Sequence, residues 1–465
     1  MADFSSDIID RIDPGIFRAY DIRGITTSNL TPEVVYWIGR SYANAAQQAG
    51  QDRAAVGRDA RLSSPALEEA LTQGLVEGGM DVICIGEVPT PLLYFATHQL
   101  DIGTGIMITG SHNPPEYNGL KMMIGGVTLA EERIQNLYQN LVSRAFSEGA
   151  GQVSEQNLNQ NYCQQLKQTI TVGRSLKVVV DCGNGVAGGI APDLLADLGC
   201  DIVPLYCEVD GNFPNHHPDP ADPDNMRELA QAVQDHQADL GVAFDGDGDR
   251  LGVITPKGEI IWPDKLMMLF AEDICSRVSD ATIIFDVKCS RNLEKTISAA
   301  GGKPLMWRTG HSHIKAKIKE TGSPLAGEFS GHLCIGERWF GFDDALYAAA
   351  RLIELLSQSD ADADTLFDRY PKTVTTPEIK IQTTETYKFQ VMEQLRSALN
   401  FEGGRQTTID GIRVDFAEGW GLIRPSNTSP VLSLRFEAET DSALAHIMKL
   451  FQDRLHAVDP DLSFS

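Results

Sequence analysis

Positive charge is scarce in this chain. Lysine and arginine together number 39, against 64 aspartate and glutamate residues, which gives a formal net charge of −25. Nucleic acids and anionic membranes bind to broad basic surfaces, so we expect neither as a partner. An acidic protein can still hold an anionic small molecule in a local pocket of arginine and lysine.

Long apolar segments and a secretory signal are missing as well. No run of about 18 apolar residues, the length of a transmembrane helix, occurs in the sequence. The first residues, MADFSSD, contain neither the basic nor the apolar part of a secretory signal, so we expect a cytoplasmic protein.

Cysteine pairs of the CxxC type are also absent, although the chain has eight cysteines. Their spacing is wide and irregular, which predicts buried reduced thiols rather than a metal or redox framework. They are Cys84, Cys163, Cys182, Cys200, Cys207, Cys275, Cys289 and Cys334.

Short β-rich runs alternate with amphipathic segments from about residue 53 onward. RAAVGR, DVICIGEV and GTGIMIT predict strands, and Ser63 with Pro65 predicts the capped start of the first intervening helix. The alternation begins again at LKVVVD and at ATIIFDV, as in βαβ units. At about 150 residues per domain, 465 residues suit three or four domains. We predict three similar α/β domains with mixed, mainly parallel sheets (1–155, 156–259 and 260–371) and a C-terminal α+β domain (372–465).

The segment TGSHNP (109–114, the serine loop) follows a predicted strand. Ligands of parallel sheets bind beyond the carboxyl ends of the strands, so this loop is well placed for a reaction. Ser111 would need activation as a nucleophile, and the loop lacks the G-x-S-x-G of a hydrolase. His112 is adjacent in sequence, which does not by itself arrange the two as nucleophile and base. The alternative is a turn rich in polar cap-forming residues.

The segment DGDGDR (245–250, the aspartate loop) lies between two predicted strands. Asp245, Asp247 and Asp249 alternate with glycines that allow a tight turn, which offers hard oxygen ligands to Mg²⁺. An EF-hand needs glycine and glutamate at its sixth and twelfth positions, where this sequence has Arg250 and Pro256. The remaining alternative is a solvated acidic turn.

Two further loops carry other polar groups. RPSNTSP (424–430, the arginine loop) combines a guanidinium with hydroxyl and amide donors, a set that suits a phosphate monoester, or else forms a polar hairpin. GEFSGH (327–332, the glutamate loop) offers Glu328 and Ser330 to neighbouring hydroxyls of a sugar. Its glycines allow a ligand to approach closely.

The segment GNGVAG (183–188) points to another enzyme class. It matches the G-x-G-x-x-G pattern of dinucleotide-binding proteins, between a predicted strand and helix, and Glu208 follows at about the distance of a ribose-binding acid. An NAD(P)-binding oxidoreductase is therefore an alternative. This alternative would leave the serine, aspartate and arginine loops without a function. Tight glycine turns of this kind also occur in α/β folds where they serve packing alone.

Taken in order, the motifs resemble those of the α-D-phosphohexomutase superfamily, in its phosphomannomutase/phosphoglucomutase branch. The resemblance covers essentially the whole chain and implies four domains around a central cleft, with the fourth closing over substrate. The matching motifs are FRAYDIRG (17–24), GRDARLSS (57–64), TGSHNPPEYNGLK (109–121), DGDGDR, GHSHIK (310–315), GEFSGH and RPSNTSP.

The resemblance also implies a role for each matching position. Ser111 would be the phosphoserine, and Mg²⁺ would be bound by Asp245, Asp247 and Asp249 together with Ser111. The other implied catalytic residues are Arg23, Lys121, His112 and Arg250. The implied substrate-binding residues are Tyr20, Lys288, His311, Glu328, Ser330, His332, Arg424, Ser426, Asn427 and Thr428.

The implied activity moves a phosphoryl group between C1 and C6 of a hexose. The phosphoserine phosphorylates a hexose 1-phosphate, and the resulting hexose 1,6-bisphosphate, the second implied cofactor, turns over and returns its other phosphate. The partners would be small-molecule sugar phosphates, with no obligate protein partner evident. A non-catalytic sugar-phosphate-binding protein is the alternative outside enzymes.

The loop sequences also bear on the branch within the superfamily. GEFSGH and DGDGDR favour mannose and glucose over the glucosamine-phosphate branch, where glutamine and alanine are usual in these loops. Phe329 stands where methionine is often found, which leaves the choice between glucose and mannose open.

Overall fold

The structure is a computed structural model that describes residues 4–397, 401, 403–426 and 429–464. Its strands form four sheets that follow one another along the chain. In these ranges, no helix is both long and apolar enough to cross a bilayer.

The first sheet has the strand order β1-β5-β4-β2-β3-β7, with β6 beside β5. Strands β2, β3, β4 and β7 are parallel, whereas β5 runs antiparallel to β4 and β1. The elements of this unit are β1 (Ile22–Ile25), α1 (Pro32–Gln48), β2 (Arg53–Arg58), α2 (Ser64–Glu77), β3 (Asp81–Glu87), α3 (Thr90–Gln99), β4 (Gly105–Ile108), β5 (Tyr117–Ile124), β6 (Val127–Thr128), α4 (Glu132–Val142) and β7 (Val153–Glu155).

The second sheet has the order β12-β11-β10-β8-β9, in which β8, β9 and β10 are parallel and β11 is antiparallel. Its unit comprises α5 (Asn159–Thr169), β8 (Lys177–Asp181), α6 (Ala191–Asp197), β9 (Asp201–Leu205), α7 (Arg227–Asp235), β10 (Leu240–Phe244), β11 (Leu251–Ile254) and β12 (Ile260–Ile261).

The third sheet has the order β14-β13-β15-β16, again with parallel inner strands and an antiparallel last strand. Its unit comprises α8 (Pro263–Cys275), β13 (Thr282–Asp286), α9 (Arg291–Ala299), β14 (Lys303–Trp307), α10 (His311–Thr321), β15 (Leu325–Gly327), β16 (Leu333–Ile335), α11 (Ala345–Ser357) and α12 (Ala363–Asp368).

The fourth sheet is antiparallel throughout its described pairings, with the order β17-β22-β21-β20-β19 and β18 beside β22. Its unit comprises β17 (Val374–Thr375), β18 (Ile379–Gln382), α13 (Tyr387–Ser397), β19 (Arg405–Thr407), β20 (Ile412–Phe416), β21 (Gly419–Pro425), β22 (Val431–Ala438) and α14 (Asp441–Val458).

One connection recurs in the first three units. In each, a buried parallel strand runs into a loop and then into an antiparallel neighbour: β4 to β5, β10 to β11 and β15 to β16. These three connections contain the serine, aspartate and glutamate loops, and the arginine loop joins β21 to β22. The four loops that carry the candidate functional side chains therefore all lie at the ends of strands.

The apolar cores explain how the units are held together. One core passes through the first three sheets and includes Ala55, Val178 and Phe285, whereas the fourth sheet packs around a separate core. A small cluster joins the third and fourth units: Val287, Trp420 and Leu422.

The predicted α/β class with an α+β C-terminal unit is confirmed, and the predicted domain limits stay predictions. Three local expectations need revision. Helix α1 precedes residue 53, where the alternation was expected to begin, and the hairpin β19 to β20 was not predicted. Ser63 makes no side-chain capping bond to α2, because its hydroxyl accepts from Asn118 Nδ2 instead.

Candidate active site

Ser111 is buried at the centre of the serine loop, with a left-handed backbone angle (φ 49°) that is unusual for a residue other than glycine. Its hydroxyl donates to Asp245 Oδ2 at 2.9 Å and lies 3.0 Å from Nδ1 of His112. Burial, with Arg250 and Arg23 nearby, holds the pKa of His112 well below its ordinary value. Adjacency in sequence did not by itself imply that the side chains of Ser111 and His112 meet, but in the structure they are in contact.

A buried arginine that was not among the predicted site residues holds this loop. The Arg61 side chain is inaccessible to solvent and pairs with Asp59 at 3.2 Å. Asp59 in turn accepts the N–H of Gly110 at 3.1 Å. The guanidinium donates to four carbonyl oxygens at 2.6–3.0 Å, those of Ser111, Asn113, Pro114 and Tyr117. The motif GRDARLSS contained both residues, but nothing in it indicated that Arg61 would bind backbone rather than a ligand.

The aspartate loop closes on its own first carboxylate. Asp245 Oδ1 accepts the N–H groups of Asp249 at 3.0 Å and Arg250 at 3.1 Å. Gly246 lies so close to the serine loop that a Cβ atom there would collide with the carbonyl oxygen of Ser111. The glycine at this position therefore lets the two loops touch through their backbones.

The three aspartates form a buried cluster whose ligand atoms lie within 4.8 Å of one another. Lys121 Nζ donates to Asp247 Oδ2 at 2.6 Å and to Asp249 Oδ2, so one cation already faces the group. Oδ1 of Asp247 is buried and has no hydrogen-bond partner in the described part of the chain, and the buried Oδ1 of Asp249 has only the imidazole of His332 nearby, at 3.3 Å. Buried carboxylate oxygens without donors are costly, and a divalent cation would satisfy them. The cluster therefore fits a metal ion.

His332 links the glutamate loop to the aspartate loop. Its Nδ1 lies 2.8 Å from Glu328 Oε2 and 3.2 Å from Ser330 Oγ, and its Nε2 lies 3.3 Å from Asp249 Oδ1. Burial acts to lower the pKa of His332, but Asp249 and Glu328 raise it to about 9. Burial acts to raise the pKa of Glu328, but His332 lowers it to about 2. His332 thus lies between two buried carboxylates, those of Glu328 and Asp249.

Two arginines lie beside the serine and aspartate loops. Arg23, on β1, donates to Asn113 Oδ1 and pairs with Asp21, both at 2.6 Å. Arg250 Nε lies 3.9 Å from Asp245 Oδ2. The structure therefore brings together the residues predicted for catalysis.

His311 begins α10, and neither of its buried ring nitrogens has a hydrogen-bond partner in the described ranges. Burial, with Lys315 nearby, holds the pKa of His311 well below its ordinary value, so the imidazole is neutral. Its ring centroid lies 5.9 Å from that of Tyr20, and Nδ1 lies 3.7 Å from Asp343 Oδ2. Asp343, which pairs with Lys315 at 2.6 Å, was not predicted.

A second cationic region lies where the third and fourth units meet. Lys288 Nζ is 3.8 Å from Glu378 Oε2, and Arg424 Nε donates to Asp410 Oδ2 at 3.0 Å. Asp410 also accepts the N–H of Thr309 at 3.0 Å, just before His311. Arg424 Nη2 is buried without a partner in the described chain. This guanidinium thus has donor capacity left for an anion.

Lys388, which was not predicted, supports the arginine loop. Its buried Nζ donates to the carbonyl oxygens of Ser426 at 2.7 Å and Ser429 at 3.0 Å. The predicted residues Asn427 and Thr428 lie outside the described residues.

The loop at 183–188 is filled by the protein itself. A Cβ atom at Gly188 would collide with the carbonyl of Cys207. The backbone N–H groups of Asn184, Gly185 and Val186 donate to carbonyl oxygens of the chain at 2.6–3.2 Å. A pyrophosphate would need such donors free, so packing accounts for the glycine pattern better than dinucleotide binding.

Comparison with known proteins identifies the family. The models described as phosphoglucomutase/phosphomannomutase alpha/beta/alpha domains I, II and III match residues 14–148, 160–258 and 262–374, and the C-terminal domain matches 378–453. A phosphomannomutase/phosphoglucomutase of Pseudomonas aeruginosa is 53% identical over 447 residues, which cover 96% of each chain. The chain belongs to the phosphoglucomutase/phosphomannomutase family. The predicted superfamily is thereby confirmed.

Other members of this family agree with that assignment. A phosphoglucomutase of Neisseria gonorrhoeae is 48% identical over 441 residues, 94% of this chain and 96% of the relative. The crystal structure of a phosphoglucomutase/phosphomannomutase family protein from Burkholderia thailandensis superposes with a TM-score of 0.92 at 45% identity, covering 97% of this chain and 99% of that one. A probable phosphoglucosamine mutase of Methanopyrus kandleri is 31% identical over 452 residues, so the glucosamine alternative has less support.

Proposed function

We propose that this protein is a phosphohexomutase that interconverts the 1- and 6-phosphates of mannose, glucose or both. The reaction would run through phosphoserine 111 and a hexose 1,6-bisphosphate. The observation that carries the proposal is the 2.9 Å contact of the Ser111 hydroxyl with Asp245, inside a buried cluster of carboxylates and cations. Relatives named phosphomannomutase/phosphoglucomutase, at 53% identity, support the same activity.

The three aspartates of the cluster, with an oxygen of Ser111, would hold Mg²⁺. Bound there, the ion would neutralise charge on the phosphoryl group during transfer. The hard carboxylate ligands of this site and the unpartnered Oδ1 atom of Asp247 support Mg²⁺ as the metal.

The residues around Ser111 would serve the transfer step itself. A sugar hydroxyl would attack the phosphorus, so that the bond between phosphorus and the sugar oxygen forms and the bond between phosphorus and Ser111 Oγ breaks. The proton of the sugar hydroxyl would end on Ser111 Oγ, which restores the serine hydroxyl. Arg23, Lys121 and Arg250 would contact the phosphoryl oxygens and reduce their repulsion with the aspartates. Arg61 keeps the serine loop in register with the aspartate loop, which such an in-line transfer requires.

The other end of the site would hold the sugar and the phosphate that does not react. Glu328 and Ser330 would bind sugar hydroxyls, with Tyr20 and His311 beside them. Arg424, Ser426, Asn427, Thr428 and Lys288 would bind the remote phosphate. Because the bisphosphate must present each phosphate in turn to Ser111, this region must accept the substrate in two orientations.

The cellular setting that we propose is the cytoplasm. All eight cysteines are unpaired in the structure, as expected of a protein kept in reducing surroundings.

A direct assay tests the function. The purified protein, with Mg²⁺ and a trace of glucose 1,6-bisphosphate, should convert glucose 1-phosphate and mannose 1-phosphate to the 6-phosphates, and glucosamine 1-phosphate more slowly. Intact mass should show one phosphate on part of the protein, absent from Ser111→Ala. A protein that binds these sugars with neither turnover nor phosphorylation would support the non-catalytic alternative.

A further inference from the structure

Two cysteines that are 25 positions apart in sequence meet in the second unit. Cys182 follows the end of β8 and Cys207 follows the end of β9, its parallel neighbour. Their sulfurs are 3.5 Å apart. Cys182 is buried and Cys207 is partly exposed. The spacing of 25 positions hides this pair from a search for CxxC motifs, although both thiols are free in the structure, as expected from the sequence.

The environment of the two thiols differs in a way that suits stepwise oxidation. Their mutual hydrogen bond lowers the pKa of Cys207 and, with burial, raises that of Cys182 well above its ordinary value. Cys207 is also the more accessible of the two, so an oxidant reaches it first, and the buried Cys182 is placed as the resolving thiol.

Backbone contacts connect this pair to the aspartate loop. Gly185 N–H donates to the Cys182 carbonyl at 2.6 Å, and Val186 N–H donates to the Gly246 carbonyl at 3.2 Å. Gly188 packs directly against the backbone of Cys207. Gly246 in turn touches Ser111. Residues 183–188 thus contact both cysteines on one side and the loop that carries the three aspartates on the other.

We infer that Cys182 and Cys207 form a reversible disulfide that lowers activity by displacing the aspartate loop. With hydrogen peroxide as oxidant, the Cys207 thiolate attacks one oxygen, the O–O bond breaks, and hydroxide leaves to give a sulfenic acid. Cys182 sulfur then attacks that sulfur, the S–S bond forms, and water leaves with the Cys182 proton. The sulfurs must approach from 3.5 Å to about 2.05 Å, and we expect part of this approach to come from the backbone at one or both residues.

Peptide mapping tests the bond independently of activity. Reduced protein is treated with hydrogen peroxide, its remaining thiols are alkylated, and it is cleaved before aspartate residues. This cleavage separates three peptides, 181–192 with Cys182, 197–200 with Cys200 and 201–209 with Cys207. We expect a cross-link between 181–192 and 201–209 that dithiothreitol removes. A Cys207 that oxidises without cross-linking, or that cross-links to another cysteine, overturns the inference.

Measurements of enzyme activity and of Mg²⁺ binding test the connection between the cysteine pair and the aspartate loop. The activity measurement rests on the proposed function. Oxidation should lower kcat by about 10-fold, because a shift of about 1 Å in a catalytic group can cost up to about 100-fold. Calorimetry should show weaker Mg²⁺ binding by the oxidised protein, even if mutase activity proves absent. Cys207→Ser should resist both losses, whereas the matched control Cys200→Ser should respond like wild type. Complete cross-linking with unchanged kcat and Mg²⁺ affinity would refute the connection.

Discussion

Replacing Arg61 by lysine keeps the buried charge but removes the forked shape that holds the serine loop. The guanidinium makes four bonds to carbonyl oxygens and one to Asp59, at 2.6–3.2 Å. One ammonium group has three donors on a single nitrogen, so at least two of these five bonds are lost. At about 1–3 kcal/mol for each buried group left unpaired, the cost is roughly 2–6 kcal/mol. Part of this free-energy cost should appear as a lower free energy of unfolding, and the rest as displacement of Ser111.

Displacement of Ser111 by about 1 Å would lower kcat by up to about 100-fold with a small effect on KM, because the remote phosphate contacts are unchanged. Steady-state kinetics and urea unfolding of Arg61→Lys measure the two effects. Arg58→Lys is the matched control, since its pairs with Glu68 and Glu87 are partly exposed and typically worth about 1 kcal/mol or less. A folded Arg61→Lys protein with wild-type kcat, or equal losses in both variants, would refute the reasoning.

Three further predictions concern the proposed nucleophile, the metal site and the site of the remote phosphate. Ser111→Ala should abolish both turnover and the phosphate found by intact mass, and full activity in this variant would exclude Ser111 as the nucleophile. Asp247→Asn should raise the Mg²⁺ concentration needed for half-maximal turnover, because one of three carboxylate charges is gone, whereas the exposed control Asp224→Asn should not. Arg424→Ala removes a charged contact of about 1.5–3 kcal/mol, so kcat/KM should fall about 10- to 100-fold for both sugars and in both directions. A loss confined to one sugar would instead make Arg424 a specificity residue.

The main strands and their connections could be predicted because they depend on local pattern. The runs RAAVGR, LKVVVD and ATIIFDV became β2, β8 and β13, since apolar β-branched residues bounded by turn formers favour buried strands. Helix α1 was missed although Thr31 caps it and Pro32 opens it. Those two signals stand before the first predicted strand, where no βαβ alternation marks the start of a unit.

The site residues that could not be predicted are those that bind protein rather than ligand. Arg61, Asp343 and Lys388 each support a predicted residue through contacts that span 30 or more positions of sequence. Asp410 binds Arg424 from 14 positions away and also accepts the backbone N–H of Thr309. A single sequence identifies a residue type but not its partner, so a buried arginine that binds four carbonyl groups looks the same as one that binds phosphate. The contact of Ser111 with His112 was hidden for another reason, since it depends on a left-handed backbone angle that serine rarely adopts.

The recurring connection from a parallel strand to an antiparallel neighbour accounts for the way the site is assembled. Because β4, β10 and β15 each end in such a loop, three units of similar plan deliver three different side-chain sets: a hydroxyl, a carboxylate cluster and a glutamate–histidine pair. One continuous core fixes these units relative to one another, so their loops stay within hydrogen-bonding distance. The fourth unit has its own core and meets the third through one small apolar cluster and through buried polar contacts, such as those of Arg413 with the carbonyl oxygens of Val287 and Cys289 at 2.7 Å. The groups that must be held at fixed distances thus lie on units that share a core, whereas the arginine loop lies on a unit with a separate core that is joined to the third largely by polar contacts.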